Sequence, residues 1–234
     1  MADLPLIGRG RAADVFDAGD GRVLRRYRIP QRPGAVEREA AAMRHLRAHG
    51  APVPEVFSAS GDEMVMERLT GRSMLDVLKA RPWRAAAIGR QLAELHARIH
   101  SIPAGNLAAG GLLPRFSDGD SILHLDLHPD NVMLTDRGPV IIDWSNVAVG
   151  EPLADVLNSW MIMVTSSVDD VPLPLRPILR RIRRGLTDGF LEGTPMTAEA
   201  RQWLVHVCER RLLDRNVTPA ERERVRALAT AQGV

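Results

Sequence analysis

The densest group of reactive side chains is His124-Leu125-Asp126-Leu127-His128-Pro129-Asp130-Asn131, and seventeen positions after Asp126 a further acid ends the run Ile141-Ile142-Asp143. Two carboxylates and an amide at one end of a short β-ribbon are a set that phosphoryl transfer needs. Phosphate charge must be neutralised, a hydroxyl must be aimed in line at phosphorus, and its proton must go to a base. Hard oxygen ligands suit Mg²⁺, so Asn131 and Asp143 are the expected metal ligands. Asp126 is the expected catalytic residue, orienting the hydroxyl and accepting its proton.

These residues need a scaffold, and the flanking sequence supplies one. Val15-Phe16-Asp17-Ala18 and Arg22-Val23-Leu24-Arg25-Arg26-Tyr27 flank Gly19-Asp20-Gly21, a hairpin signal within residues 6 to 29. Residues 35 to 49 repeat apolar positions at helical spacing (Val36, Ala40, Met43, Leu46), with Gly50 as a stop. Residues 55 to 59 and 64 to 69 read as two more strands, giving a first lobe of four or five antiparallel strands and one helix. From Ser73 the pattern turns helical. Ser73 to Asp76 resembles a capping box, and Pro82 suits the first turn of a helix through His100. Val132-Met133-Leu134 and Val140-Ile141-Ile142 form a second ribbon, and helices are expected over 152 to 166, 174 to 191, 198 to 214 and 219 to 231. The reading is an α+β fold of two lobes: residues 1 to 70, small and antiparallel β with one helix, and residues 71 to 234, larger and mainly helical.

The order His-x-Asp followed by Asn and then a strand-terminal Asp matches the kinase catalytic signature. At the other end of the chain, Gly8-Arg9-Gly10-Arg11-Ala12-Ala13-Asp14-Val15 fits the phosphate-covering loop G-x-G-x-x-G-x-V, with Ala13 for the third glycine. On these motifs the sequence resembles the aminoglycoside phosphotransferase and choline kinase-like family, small-molecule kinases on the protein-kinase fold. The resemblance implies ATP and Mg²⁺, with Gly8 and Gly10 over the phosphates. It implies a hinge at Met64-Val65-Met66-Glu67-Arg68-Leu69-Thr70-Gly71 where Met66, Glu67 and Leu69 border adenine. Asp143-Trp144 resembles the metal-binding motif, and Asp155 in Gly150-Glu151-Pro152-Leu153-Ala154-Asp155 resembles the acid that braces the catalytic loop.

The template also expects a lysine on the strand after the glycine loop, but Lys79 is the only lysine in the chain. Arg25 stands in the expected place, with Glu39 on the following helix as its partner; its fork of donors suits phosphate oxygens but is not equivalent to an ammonium. Two readings stay open at this level: an ATP-dependent kinase of a small hydroxylated molecule, or a weak or inactive nucleotide-binding module. Eleven residues lie between Asp143 and Asp155, too few for the peptide platform of a protein kinase.

Other features have plainer readings. His124 reads as a structural loop residue and His128 as either a substrate contact or a cap. His96 reads as a core residue with a satisfied nitrogen, and Met64 and Met66 equally as plain core. Arg180-Arg181-Ile182-Arg183-Arg184 reads as a solvated helix face. Asp118, Asp120, Asp169, Asp170 and Asp188 are acids that a cationic acceptor would meet if they lined a pocket. The 31 basic and 29 acidic residues are mixed along the 234-residue chain, so nucleic acid is not the expected partner. A single cysteine, no signal-peptide pattern and no long apolar run predict a cytoplasmic protein without membrane association. Oligomeric state is not readable.

Overall fold

The structure, a computed structural model, describes residues 4–10, 12–166, 172–194, 196–214 and 217–233. Five strands form one antiparallel sheet: β1 (Leu6–Arg9), β2 (Ala13–Gly19), β3 (Arg22–Tyr27), β4 (Val56–Ser60) and β5 (Glu63–Glu67), in the order β1-β2-β3-β5-β4. The turn between β2 and β3 works because Gly19 and Gly21 take φ of 74° and 69°, with Asp20 between them at 49°. Helix α1 (Ala35–Ala48) buries Val36, Glu39, Ala40, Met43 and Leu46, so an acid sits on an otherwise apolar stripe. A carboxylate there has to be paired.

The rest of the chain is mainly helical. Ser73 caps α2 (Met74–Ala80), its hydroxyl accepting from the Asp76 N–H at 3.0 Å. A 3₁₀ turn at Pro82–Arg84 leads into α3 (Ala85–His100), followed by the short α4 (Asn106–Ala109). Then come α5 (Pro152–Thr165), α6 (Arg176–Phe190), α7 (Ala198–Leu213) and α8 (Pro219–Ala231), the last capped by Thr218, whose hydroxyl accepts the Glu221 N–H at 3.2 Å. Helices α3 and α6 cross through glycines: a Cβ on Gly89 would lie 2.1 Å from Leu186 O, and one on Gly189 2.3 Å from Ala86 O. Only hydrogen fits at either position, so the two backbones close over His96 and Phe190, whose rings meet edge-on at 5.3 Å.

The second lobe holds more β structure than the single ribbon expected from the sequence. Strand β6 (Arg72–Ser73) joins β8 (Val132–Thr135) and β9 (Gly138–Ile141) in a three-stranded sheet, and β7 (Ser121–Leu123) pairs with β10 (Ala148–Gly150). These extra strands run two or three residues, too short for periodicity to reveal. They matter because β7 enters the Asp126 loop, β8 leaves it, and β9 leads to Asp143. Among the described residues no helix is long and apolar enough to cross a membrane.

Candidate active site

Alternation along β3 puts Val23, Arg25 and Tyr27 on one face, and register sets Arg25 between Val15 of β2 and Met64 of β5. Helix α1 brings Glu39 to that face. Arg25 Nη1 and Nη2 donate to Glu39 Oε1 and Oε2 at 2.9 and 3.1 Å, a bidentate pair. Nη2 also meets the Tyr27 hydroxyl and, at 3.4 Å, Asp143 Oδ1 from the other lobe. Tyr27 donates to Glu39 Oε2 at 3.0 Å and the Trp144 N–H donates to Glu39 Oε1 at 3.1 Å.

The electrostatics follow from this packing. Burial works against the Arg25 charge, but Glu39 and then Asp143 outweigh it and hold the guanidinium above its ordinary range. Burial, then Glu39, pushes the Tyr27 phenol up, so it remains a donor. The Glu39 side chain is 2% exposed and Arg25 12%. Glu39→Ala takes the bidentate partner from buried Arg25, leaving only the longer Asp143 contact and Tyr27, and is expected to destabilise the chain by about 3 to 5 kcal/mol in urea unfolding. A change within about 0.5 kcal/mol, the ordinary range of surface substitutions, would contradict that role.

The His124 to Asn131 run is held from below. His124 is fully buried; its Nε2 donates to Ile142 O at 3.0 Å and its Nδ1 accepts the Asp126 N–H at 3.2 Å, which fixes the neutral tautomer and a structural role. Asp155 of α5 accepts the His124 N–H at Oδ2 (2.9 Å) and the Leu125 N–H at Oδ1 (2.7 Å). Asn158, one turn along α5, donates to Leu125 O at 2.7 Å. Leu125 needs this grip because its φ is 60°, as Asp143 has φ of 62°, a region that costs a non-glycine residue about 1 to 3 kcal/mol. His100 of α3 completes the brace, its Nε2 lying 2.9 Å from Asp155 Oδ2.

Above the brace, Asn131 Nδ2 donates to Asp126 O at 2.9 Å and faces Asp126 Oδ2 at 3.4 Å. With the amide nitrogen so committed, the amide oxygen is left as the acceptor atom of this side chain. Asn131 O accepts the Ile142 N–H at 3.0 Å, which ties the loop to the strand that delivers Asp143. Burial pushes the Asp126 carboxyl up, against the pull of His128 3.8 Å away, with the Asp143 charge pushing the same way as burial. Burial holds the His128 imidazole below its usual range, and its Nδ1 accepts the Asp130 N–H at 3.3 Å, a local cap.

The other expected site residues are arranged as follows. Gly8 lies in β1, and Gly10 closes the turn to β2 through its N–H to Ala13 O at 2.8 Å. Neither uses a positive φ, so the conformational freedom that motivated them in the sequence is not exercised. Arg11 lies outside the described residues. Met66 is buried in the core on the same face as Met64, and the strand ends at Glu67 rather than at 69. The N–H groups of Glu67 and Arg68 donate to Glu55 O and Gly21 O at 2.8 Å each, and the Glu67 carboxylate accepts from Arg137 at 2.8 Å. Leu69 follows on the connection to β6.

Three sequence readings change. His96 is buried, as expected, but neither ring nitrogen has a hydrogen-bond partner. Arg183 of the basic run is not simply solvated: it donates to Val164 O and Ser166 O at 3.1 and 2.8 Å, closing the C-terminus of α5. Of the scattered acids, Asp118 lines a cavity of about 330 Å³ with Ser117, Gly119, Glu151 and Trp203, whereas Asp188 faces Arg184 at 3.5 Å on the exposed side of α6. Asp169 and Asp170 lie outside the described residues. Sequence reasoning missed Tyr27, His100 and Asn158. Tyr27 had a signal, two residues from Arg25 on the same strand face; the other two act on the loop across the fold and had none.

Comparison with known proteins agrees with this architecture. The model of the Phosphotransferase enzyme family (APH) matches residues 3–119 and 106–203. The EKC/KEOPS complex subunit BUD32 of Encephalitozoon cuniculi (strain GB-M1) is 34% identical over 67 residues, a match that spans 29% of this chain and only about a third (34%) of that relative. Among solved structures, a thermostable mutant of aminoglycoside phosphotransferase APH(4)-Ia aligns over 98% of this chain and 94% of its own, with TM-score 0.63 at 17% identity. The same enzyme is also solved with AMP-PNP and hygromycin B. A choline/ethanolamine kinase family protein from Mesorhizobium loti aligns over 99% and 88%, with TM-score 0.54 at 20% identity. At such identities the structural likeness is one of fold, the kinase-like arrangement of a β lobe and a helical lobe. The family model, by contrast, runs through both lobes and the whole Asp126 to Asp155 constellation, and the chain belongs to the phosphotransferase enzyme family.

Proposed function

We propose that the protein transfers the γ-phosphoryl group of ATP to a hydroxyl of a small molecule. The observation that carries this reading is the 3.4 Å approach of Arg25 to Asp143, which joins a paired cation of one lobe to the acid beside the Asp126 loop of the other. Phosphate would sit where these groups converge, with Gly8 and Gly10 above it. Met66, the Glu67 carbonyl and Leu69 border the adenine in this reading, which also puts the lobe boundary between residues 70 and 71.

Asp126 aims the acceptor hydroxyl and takes its proton; a carboxyl pushed up by burial is a better base than an ordinary aspartate. Asn131 and Asp143 offer one amide oxygen and one carboxylate, a donor set that fits Mg²⁺. When bound, Mg²⁺ supplies neutralisation of phosphate charge. The acceptor side is the groove between residues 115–119 and α7, where a cavity of about 400 Å³ is lined by Arg115, Phe116, Trp203, His206 and Arg210. Helix α7 also carries Arg211, whose charge acts on Asp126. The short segment between Asp143 and Asp155 supports small acceptors over proteins, and a cytoplasmic location is part of the same reading.

A second reading, nucleotide binding without turnover, is favoured by how fully Arg25 is engaged by Glu39 and Tyr27. One measurement tests both. Mg²⁺-ATP at about 100 times its Kd should stabilise the native chain by about 2.7 kcal/mol, a rise in melting temperature of roughly 5 °C or more, and Asp143→Ala should abolish it. No rise at saturating nucleotide overturns both readings. A rise without phosphorylation across a panel of hydroxylated small molecules selects the second.

A further inference from the structure

Beneath the catalytic loop, the acid that braces it belongs to a second constellation with no assigned ligand. Helix α3 presents His96 and His100 one turn apart, and Asp155 of α5 faces both. One ligand atom from each lies within 4.8 Å of the others, the sole such His/Cys/Asp/Glu group among the described residues. His100 Nε2 is 2.9 Å and His96 Nδ1 3.8 Å from Asp155 Oδ2. His96 and Asp155 are 1% and 0% exposed.

Two polar groups here are buried without partners. Both nitrogens of His96 lack a hydrogen bond, and so does the hydroxyl of Ser159, four residues after Asp155 and therefore on the same face of α5. A buried polar group left unpaired costs about 1 to 3 kcal/mol, so an imidazole kept in this place calls for a ligand. The sequence offered no reason for it; a leucine would fit the apolar stripe of α3.

We propose that His96, His100 and Asp155 form a buried structural site for a Zn²⁺ ion. Histidines four apart on one helix face are a recurring way to hold a metal, and two imidazoles with one carboxylate suit zinc, whereas Mg²⁺ and Ca²⁺ prefer oxygen alone. Zinc bonds of about 2.0 to 2.2 Å put tetrahedral ligand atoms roughly 3.3 Å apart, so the 2.9 Å pair opens and the 3.8 Å pair closes as the ion enters. The ion takes a lone pair from each imidazole and from Asp155 Oδ2; the proton on His100 Nε2 moves to Nδ1 or to solvent, and Ser159 or a water supplies the fourth ligand. Because Asp155 also holds the His124 and Leu125 N–H groups, the ion fastens α3 and α5 to the base of the catalytic loop. It lies apart from the Asn131 and Asp143 pair and does not depend on any reading of the reaction.

The test is elemental analysis of the untagged 234-residue chain, expressed with zinc and dialysed against metal-free buffer, beside His96→Leu and Asp143→Ala. The expected result is about one zinc per chain in the native protein and in Asp143→Ala, and none in His96→Leu. Refolding the native chain with Co²⁺ should give the visible absorption of a tetrahedral site, a readout that stands even if His96→Leu does not fold. A native chain that holds no zinc and gives no such absorption overturns the proposal, as does a folded His96→Leu that retains zinc at the native level.

Discussion

Replacing Asp126 by Asn is expected to lower kcat about 10²- to 10⁴-fold, the range general-base removal produces, while the nucleotide-induced rise in melting temperature stays within experimental error. The separation is expected because Asn131 holds the loop through the Asp126 backbone carbonyl at 2.9 Å, a contact the substitution keeps. Folding should not suffer either. Burial raises the Asp126 carboxyl, so its ionised form weakens the native state at neutral pH and the neutral amide should leave stability equal or higher. In the native enzyme the same shift predicts that kcat/KM falls on acidification through a value above the ordinary aspartate range. Unchanged turnover in Asp126→Asn, measured with an accepted substrate, would remove Asp126 from the mechanism.

Asp155→Ala is expected to have a large structural effect. It removes the acceptor for two buried backbone N–H groups and for His100, and with it the hold on Leu125 at φ 60°. Breaking a buried, multiply bonded charge costs about 3 to 5 kcal/mol, which for a chain of this size is a fall of roughly 10 °C in melting temperature. Turnover should fall with stability, because Asp126 follows Leu125 directly.

The pH dependence has a definite sign. Burial alone would raise the Asp155 carboxyl, but the His100 hydrogen bond and the neighbouring imidazoles hold it well below the usual carboxylate range. Burial lowers His96 to about 3, so at neutral pH that ring is uncharged and the pull falls to His100 and the backbone donors. A depressed carboxylate contributes stability in full above its unfolded pKa and loses it as pH falls towards the folded one. Metal-free native protein should therefore lose more stability than metal-free Asp155→Ala between about pH 5 and the acid limit of folding, read by urea unfolding at several pH values. Parallel pH profiles would show that Asp155 does not carry this load.

Much of the site was legible because its chemistry is local in sequence. Asp126 and Asn131 share one loop, Asp143 ends the next ribbon, and the family resemblance points to Glu39 as the partner of Arg25. Capping residues such as Ser73 and Thr218 mark helix starts through hydrogen bonds that span three residues. Strand ends were less legible: Arg72–Ser73, Ser121–Leu123 and Ala148–Gly150 exist only because a distant partner strand pairs with them.

The sequence by itself determined the two-lobed α+β order, since hydrophobic period, capping and turn chemistry act over a few residues, and it marked the Asp126 run and Arg25 as site candidates. The tertiary structure alone decided that Tyr27 and Trp144 converge with Arg25 on Glu39, that the glycines of α3 and α6 face each other's backbone, and that His96, His100, Asp155 and Ser159 lie beneath the catalytic loop. These depend on contacts between residues up to about a hundred positions apart, Glu39 to Trp144 being the longest of the Glu39 set at a separation of 105. Such pairings are fixed by how the helices and sheets pack, and single-chain periodicity carries no record of it.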